Sequence, residues 1–188
     1  MFGIGAYYVS ARSSAPTTTS STAPARPGAN VDGISCQAEM LNYHIHVALM
    51  LYQNGRQVTL PTGIGHAVLN QQNTCLYWLH THDFDHAQGI VHIESPTQQI
   101  YTLGQFLDLW RYSSIWGAWS DAGRIITVDG SFVNALRSAK PNNVHVYVNG
   151  KAARSYNSIP LTAHDVITIE LGAPLIKPTT SVTFPAGE

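Results

Sequence analysis

Residues 43–52, YHIHVALMLY, alternate by twos along their whole length, and no other stretch limits the possible folds of this chain as tightly. On an extended strand successive side chains point to opposite faces. Tyr43, Ile45, Val47, Leu49 and Leu51 therefore form one apolar face for a core, and His44, His46, Ala48, Met50 and Tyr52 form the other. Asn54-Gly55 follows, the residue pair that a type I′ turn demands, and RQVTLP returns as the next strand. The pattern predicts a β-hairpin near the start of a β-rich domain.

Two further strands are expected. CLYWLHTH (75–82) follows a loop with Gly63, Gly65 and the polar run LNQQNT, and GIVHIE (89–94) ends before Pro96. The best helix begins at Thr102, which makes a capping-box pair with Gln105. Leu103, Phe106, Leu107, Leu109 and Trp110 share one of its faces. After a Gly- and aromatic-rich connection, residues 143–172 read as more strands, with Asn149-Gly150 a second hairpin signal. The expected fold class is mostly β, a β-sandwich or barrel-like domain with α+β as the alternative, and one principal helix near 102–112.

Residues 1–30 differ in character. MFGIGAYYVSAR is apolar but lacks a basic leading region, and SSAPTTTSSTAPARPGAN is built from Ser, Thr, Ala and Pro. Such a composition buries too little surface to offset the entropy of ordering, so it reads as a flexible stalk behind an N-terminal membrane tether. A single β-rich metal-binding domain over 31–188 would follow, in an extracytoplasmic, membrane-tethered protein. The competing reading is a cytoplasmic protein with a disordered tail. Net charge is -1 and only 11% of residues are charged. No basic stripe is available for phosphate backbones, so no nucleic-acid partner is expected. Cys36 and Cys75 do not make a disulfide scaffold, but one bridge between them is expected if the protein is exported.

Nine histidines are the compositional anomaly, and seven lie between His44 and His92. Residues i and i+2 of a strand share a face, so His44 projects with His46, His80 with His82, and His92 with Glu94. If the strands neighbour one another, the pairs converge on a pocket able to hold a transition metal through imidazole nitrogens. His86, Asp83 and Asp85 lie just beyond the third strand as ligands or orienting groups. His66, His145 and His164 read as ordinary polar residues, and Met50 as core filling or a soft copper ligand. A pH sensor would explain the number of histidines but not their pairing. A metal-free catalytic dyad would need a nucleophile signature that the sequence lacks.

Residues 77–91, YWLHTHDFDHAQGIV, resemble the histidine-containing strand motif of multicopper oxidases, and His44-Ile45-His46 resembles that cupredoxin-type family's first His-x-His motif. The resemblance implies that His44, His46, His80 and His82 are copper ligands. The later motifs, rich in His and with a Cys, that complete the oxidase copper sites are absent. The chain also resembles a set of uncharacterised exported microbial proteins that share a Tyr-His-x-His and a Tyr-Trp-Leu-His-Thr-His-Asp stretch, here at 43–46 and 77–83.

The expectation is an extracytoplasmic transition-metal binding domain, copper ahead of zinc. His44, His46, His80, His82 and His92 are its ligands, and Asp83, His86 and Glu94 support them by fixing imidazole tautomers or passing protons. Metal affinity should fall as pH drops through about 6, because imidazole must be neutral to ligate. The alternatives are a metal-dependent enzyme, oxidase-like or hydrolytic, on the same site, and a stalked interaction domain without metal.

Overall fold

The alternating segment forms the axis of the domain. In the computed structural model, which describes residues 26–70 and 73–184, the first half of the chain contributes β1 (Cys36–Gln37), β2 (Tyr43–Gln53), β3 (Arg56–Val58), β4 (His66–Val68), β5 (Thr74–Tyr77), β6 (Leu79–His80) and β7 (Ile90–Ser95). The second half contributes α1 (Leu103–Trp116), β8 (Ala118–Trp119), β9 (Ile125–Ile126), α2 (Ser131–Ser138), β10 (Val144–Val148), β11 (Lys151–Ala153) and β12 (Val166–Leu171). Strand predominates, and the fold is a mostly-β α+β arrangement.

Seven strands form the main sheet in the order β11-β10-β12-β2-β7-β6, with β3 also paired to β2. The β12–β2 pairing is parallel, while the others in the sheet are antiparallel. Val47, Leu49 and Leu51 enter the main core, as the alternation predicts. The opposite face is covered too: Ala48 packs with Ile90 and Val166, and with Met50, Val182 and Phe184 beside them. β2 is thus an interior strand flanked on both edges and buried on both faces, and that calls for apolar residues at both parities.

Both Asn-Gly pairs make the expected turns. Asn54 and Gly55 have φ of 52° and 73°, Asn149 and Gly150 51° and 78°, which are the two positive values a type I′ hairpin needs. α1 lies over the first face and buries Leu103, Phe106, Leu107, Leu109 and Trp110. Its capping box is complete: Gln105 N donates to Thr102 Oγ1 at 3.4 Å and Thr102 N to Gln105 Oε1 at 2.9 Å. Thr102→Ala removes the acceptor for one of the helix's otherwise orphaned N–H groups and should cost about 1 kcal/mol. A shift in the urea midpoint with unchanged slope is the expected readout, and an unshifted midpoint would count against the cap.

Two features depart from the sequence reading. A second helix, α2, buries Phe132, Val133 and Leu136, and Phe132 stacks on Trp110 at 5.9 Å. It is short and starts at Gly130 without a side-chain cap, so it carries no start signal. The stretch read as one strand at 75–82 is broken at Trp78. β5 pairs with β1 and β4 in a small separate sheet, and β6 crosses to the edge of the main sheet.

The Cys36–Cys75 disulfide, with Cα atoms 5.4 Å apart, fastens β1 to β5. Chain contacts begin before Val31: Ala29 O accepts from Tyr77 Oη at 2.6 Å and Arg26 O from Tyr112 Oη at 3.3 Å. Most of the expected stalk and tether, residues 1–25, lies outside the described residues. Among those described, no helix is long and apolar enough to cross a membrane.

Candidate metal centre

The second face of the sheet carries the histidines, and register brings them together. β2 and β7 set His44 opposite Glu94 and His46 opposite His92, while β6 and β7 set His80 opposite His92. Residues directly opposite across a ladder share a face with side chains in contact. Three adjacent strands therefore gather four imidazoles and one carboxylate. His82 follows β6 immediately and joins them because Thr81 is anchored on the far side. Thr81 is fully buried, accepts from Ile64 N at 3.1 Å and donates to Pro61 O at 2.9 Å. Gly65, at φ 79°, lets this bracing loop lie so close to β6 that a Cβ there would sit 2.3 Å from Leu79 O.

The donor atoms are close. His44 Nε2 and His46 Nε2 lie 3.2 Å apart, His46 Nε2 and His92 Nδ1 2.7 Å, His92 Nδ1 and Glu94 Oε1 3.3 Å, and Glu94 Oε1 and His44 Nε2 3.0 Å. Those four atoms close a ring. Donors about 2.0–2.1 Å from one ion are separated by about 2.8–3.4 Å along the edges of a square or a tetrahedron. On the other side of Glu94, His80 Nε2 and His82 Nε2 are 3.1 Å apart, and His80 Nε2 is 3.6 Å from Glu94 Oε2.

Three of the imidazoles are held from behind. His80 Nδ1 donates to Tyr77 O at 2.9 Å, His82 Nδ1 to the Asp121 carboxylate at 3.1 Å, and His92 Nε2 to Asp85 Oδ2 at 2.8 Å. A carbonyl or carboxylate accepts only, so each far nitrogen carries the proton and the near nitrogen faces the cluster. Orienting acceptors of this kind are the usual supports of metal-bound histidine. Asp121 is itself fixed by Asp83 N at 2.7 Å.

Burial sets the charge state. It pushes His46 down to about 3, helped by the neighbouring His92 and His44 charges, and it holds His80 well below the usual imidazole value. His92 goes the other way: burial opposes its protonation, but hydrogen bonds to Asp85 and Glu94 outweigh it and raise the group to about 9. Burial likewise opposes ionisation of Glu94, yet the hydrogen bond from His92 brings it down to about 2. Without an ion, the centre is thus an imidazolium at His92 between two carboxylates, beside His46 and His80 held neutral.

The pH dependence follows from that state. An ion at His92 Nδ1 displaces a proton that is bound below about pH 9, so competition grows as pH falls from 9. From pH 9 to 7 affinity should drop about 50-fold, with about one proton released per His92-ligated ion at pH 7. This moves the expected weakening upward from the ordinary imidazole range. Titration calorimetry in buffers of different ionisation enthalpy reads both quantities, and an affinity flat over this range would remove His92 as a ligand. The raised group has a second consequence: its contribution to the stability of the ion-free protein is full below about 6.5 and lost as pH rises through about 9.

His44, His46, His80, His82, His92 and Glu94, all singled out from the sequence, meet here, with Glu94 at the centre of the donors. The Asp83 carboxylate turns away from the rings: it accepts from Thr62 Oγ1 at 2.5 Å and from Ala122 N at 3.2 Å, bracing the Asp121 segment. His86 turns its Nδ1 to the His82 and Asp83 carbonyls, both at 3.1 Å. Met50 packs in the second apolar cluster, and Cys36 and Cys75 are bonded to each other and supply no thiolate.

The sequence gives no sign of Asp121 or Glu39. The Glu39 carboxyl lies against Glu94, and burial together with the Glu94 charge raises its pKa. His66, read as an ordinary polar residue, is 5% exposed and joins His82 and Asp121 in a further set of donors. Glu39, His66, His82 and Asp121 line a cavity of about 200 Å³ beside the cluster. No family model matches this chain, and no curated protein or solved structure is significantly similar to it.

Proposed function

We propose that this protein is a transition-metal binding protein, copper ahead of zinc, working outside the cytoplasm. The observation that carries the reading is the set of back-anchored imidazoles: Tyr77 O, Asp121 and Asp85 hold the far nitrogens of His80, His82 and His92 so that their near nitrogens meet around Glu94. Near nitrogens aimed at one another in this way gain from the arrangement when an ion accepts their lone pairs, the one on His92 being freed as its proton leaves. The donors are nitrogen and carboxylate oxygen, with no thiolate. For such a set divalent affinity rises along the first-row series to copper and falls at zinc, and this favours copper. The disulfide supports an oxidising compartment, where such bonds persist.

Elemental analysis of protein purified without a histidine tag tests the reading. Stoichiometric copper or zinc is expected. Protein that emerges without metal and takes up neither Cu²⁺ nor Zn²⁺ at micromolar concentration in calorimetry would refute it, and would leave a stalked interaction domain as the better account. One observation favours metal-dependent catalysis as a second reading: the cavity beside His82 gives a small molecule a route to the cluster.

A further inference from the structure

The donor atoms sort into overlapping sets, His44–His46–His92 and His80–His82–His92–Glu94, and within each set all lie within 4.8 Å of one another. Among the described residues, neither set contains both His-x-His pairs. Two donors of a single ion, each about 2.1 Å from it, can be no more than about 4.2 Å apart. One ion therefore cannot take all the imidazoles, although all are buried or half-buried on one face.

His92 belongs to both sets, and Glu94, a member of the second, turns one oxygen toward each. The Glu94 side chain is 3% exposed. Oε1 faces His44 Nε2 at 3.0 Å and His92 Nδ1 at 3.3 Å. Oε2 has no imidazole or backbone N–H within hydrogen-bond distance and faces His80 Nε2 at 3.6 Å, with the Glu39 carboxyl beside Glu94. A buried carboxylate oxygen with no donor is costly, and a cation would satisfy it. The back-anchors divide the same way, with Asp85 behind His92 and Tyr77 O and Asp121 behind His80 and His82.

We infer that the centre holds two metal ions bridged by Glu94, one on His44, His46, His92 and Oε1, the other on His80, His82 and Oε2. The inference rests on the metal-binding reading above and specifies its nuclearity. The first ion has four protein donors. The second has three and lies on the side of the cavity that His82 and Glu39 line, so it is the one with room for an exogenous ligand. Two-metal sites of this kind clamp oxygen ligands between the ions.

The experiment is the ion count. Tag-free protein is loaded with excess Cu²⁺, and in parallel with Zn²⁺, then desalted and examined by native mass spectrometry and elemental analysis. Two ions per chain are expected in the unaltered protein, and one in each of the folded variants His44→Ala/His46→Ala and His80→Ala/His82→Ala. Glu94→Gln, which keeps the shape but replaces the carboxylate's two anionic oxygens by one neutral carbonyl oxygen, should weaken at least one ion by tenfold or more. One ion in the unaltered protein overturns the bridge and leaves metal binding standing. No ion at all overturns both. Two ions retained in either pair variant would show that the second ion sits elsewhere, which also ends the proposal.

Discussion

The variant His46→Ala/His82→Ala is expected to emerge without bound metal and to fail to take up Cu²⁺ or Zn²⁺ at micromolar concentration. Each substitution removes one imidazole from one of the two His-x-His pairs, so neither half of the centre keeps its donors. His46 is 2% exposed and its Nε2 lies against both His44 and His92, at 3.2 and 2.7 Å. His82 is the imidazole that Asp121 orients. Loss of a mere orienting partner commonly weakens metal affinity by 10–100-fold, and loss of a ligand should cost at least about 100-fold at each half. His145→Ala and His164→Ala serve as controls and should keep the metal, because among the described residues neither belongs to a donor set. The measurement is elemental analysis with competition against a chelator of known affinity. Stoichiometric metal in the double variant would reduce the histidines to polar residues of a β domain.

The second large effect belongs to the disulfide. Cys36 and Cys75 are 39 residues apart, and a crosslink closing a loop of that length removes unfolded-state entropy worth about 4 kcal/mol at 25 °C in the chain-entropy treatment. β1 has two residues and, among the described residues, pairs with β5 alone, so little else there holds that edge of the small sheet. Cys36→Ala/Cys75→Ala should lower the urea midpoint by a corresponding amount and steepen the slope, since the uncrosslinked chain exposes more surface on unfolding. Its metal stoichiometry should be unchanged, because no sulfur belongs to the centre. A variant with the unaltered midpoint would show that the bond is ornamental to stability. A variant that folds but loses metal would show that the bond positions Glu39 or His66.

What could be read in advance was whatever depends on neighbours in the chain. The parity of His44 with His46 and of His92 with Glu94, the two Asn-Gly turns and the Thr102–Gln105 box are local rules, and they hold in the structure. Pairing order is not local. Nothing in β2, β6 or β7 announces that they lie side by side in the register His44↔Glu94 and His80↔His92, yet that register makes a centre of scattered pairs. The break at Trp78 was equally hidden, since its role is to hand the chain from one sheet to another. Asp121 sits in a connection 39 residues from His82, and Glu39 in one remote in sequence from the Glu94 it lies against, and an isolated acidic residue in a loop carries no periodic signal. α2 escaped for lack of a cap.

The parallel pairing of β12 with β2 has a kinetic consequence. Every proposed donor lies between His44 and Glu94, in the first half of the chain, but the strand that flanks β2 on its other edge is Val166–Leu171. Contacts between segments so distant form slowly, because the loop between them must close before they are rewarded. A nascent chain that has emerged only as far as residue 160 thus carries all the imidazoles but lacks the neighbour that aligns β2, so it offers metal a loose, adaptable set of donors. Metal arriving at that stage can settle on the wrong nitrogens and hold them, whereas metal arriving after β12 has docked meets a site already shaped. The order of the two events, strand first and ion second, would then govern how much of the protein matures correctly.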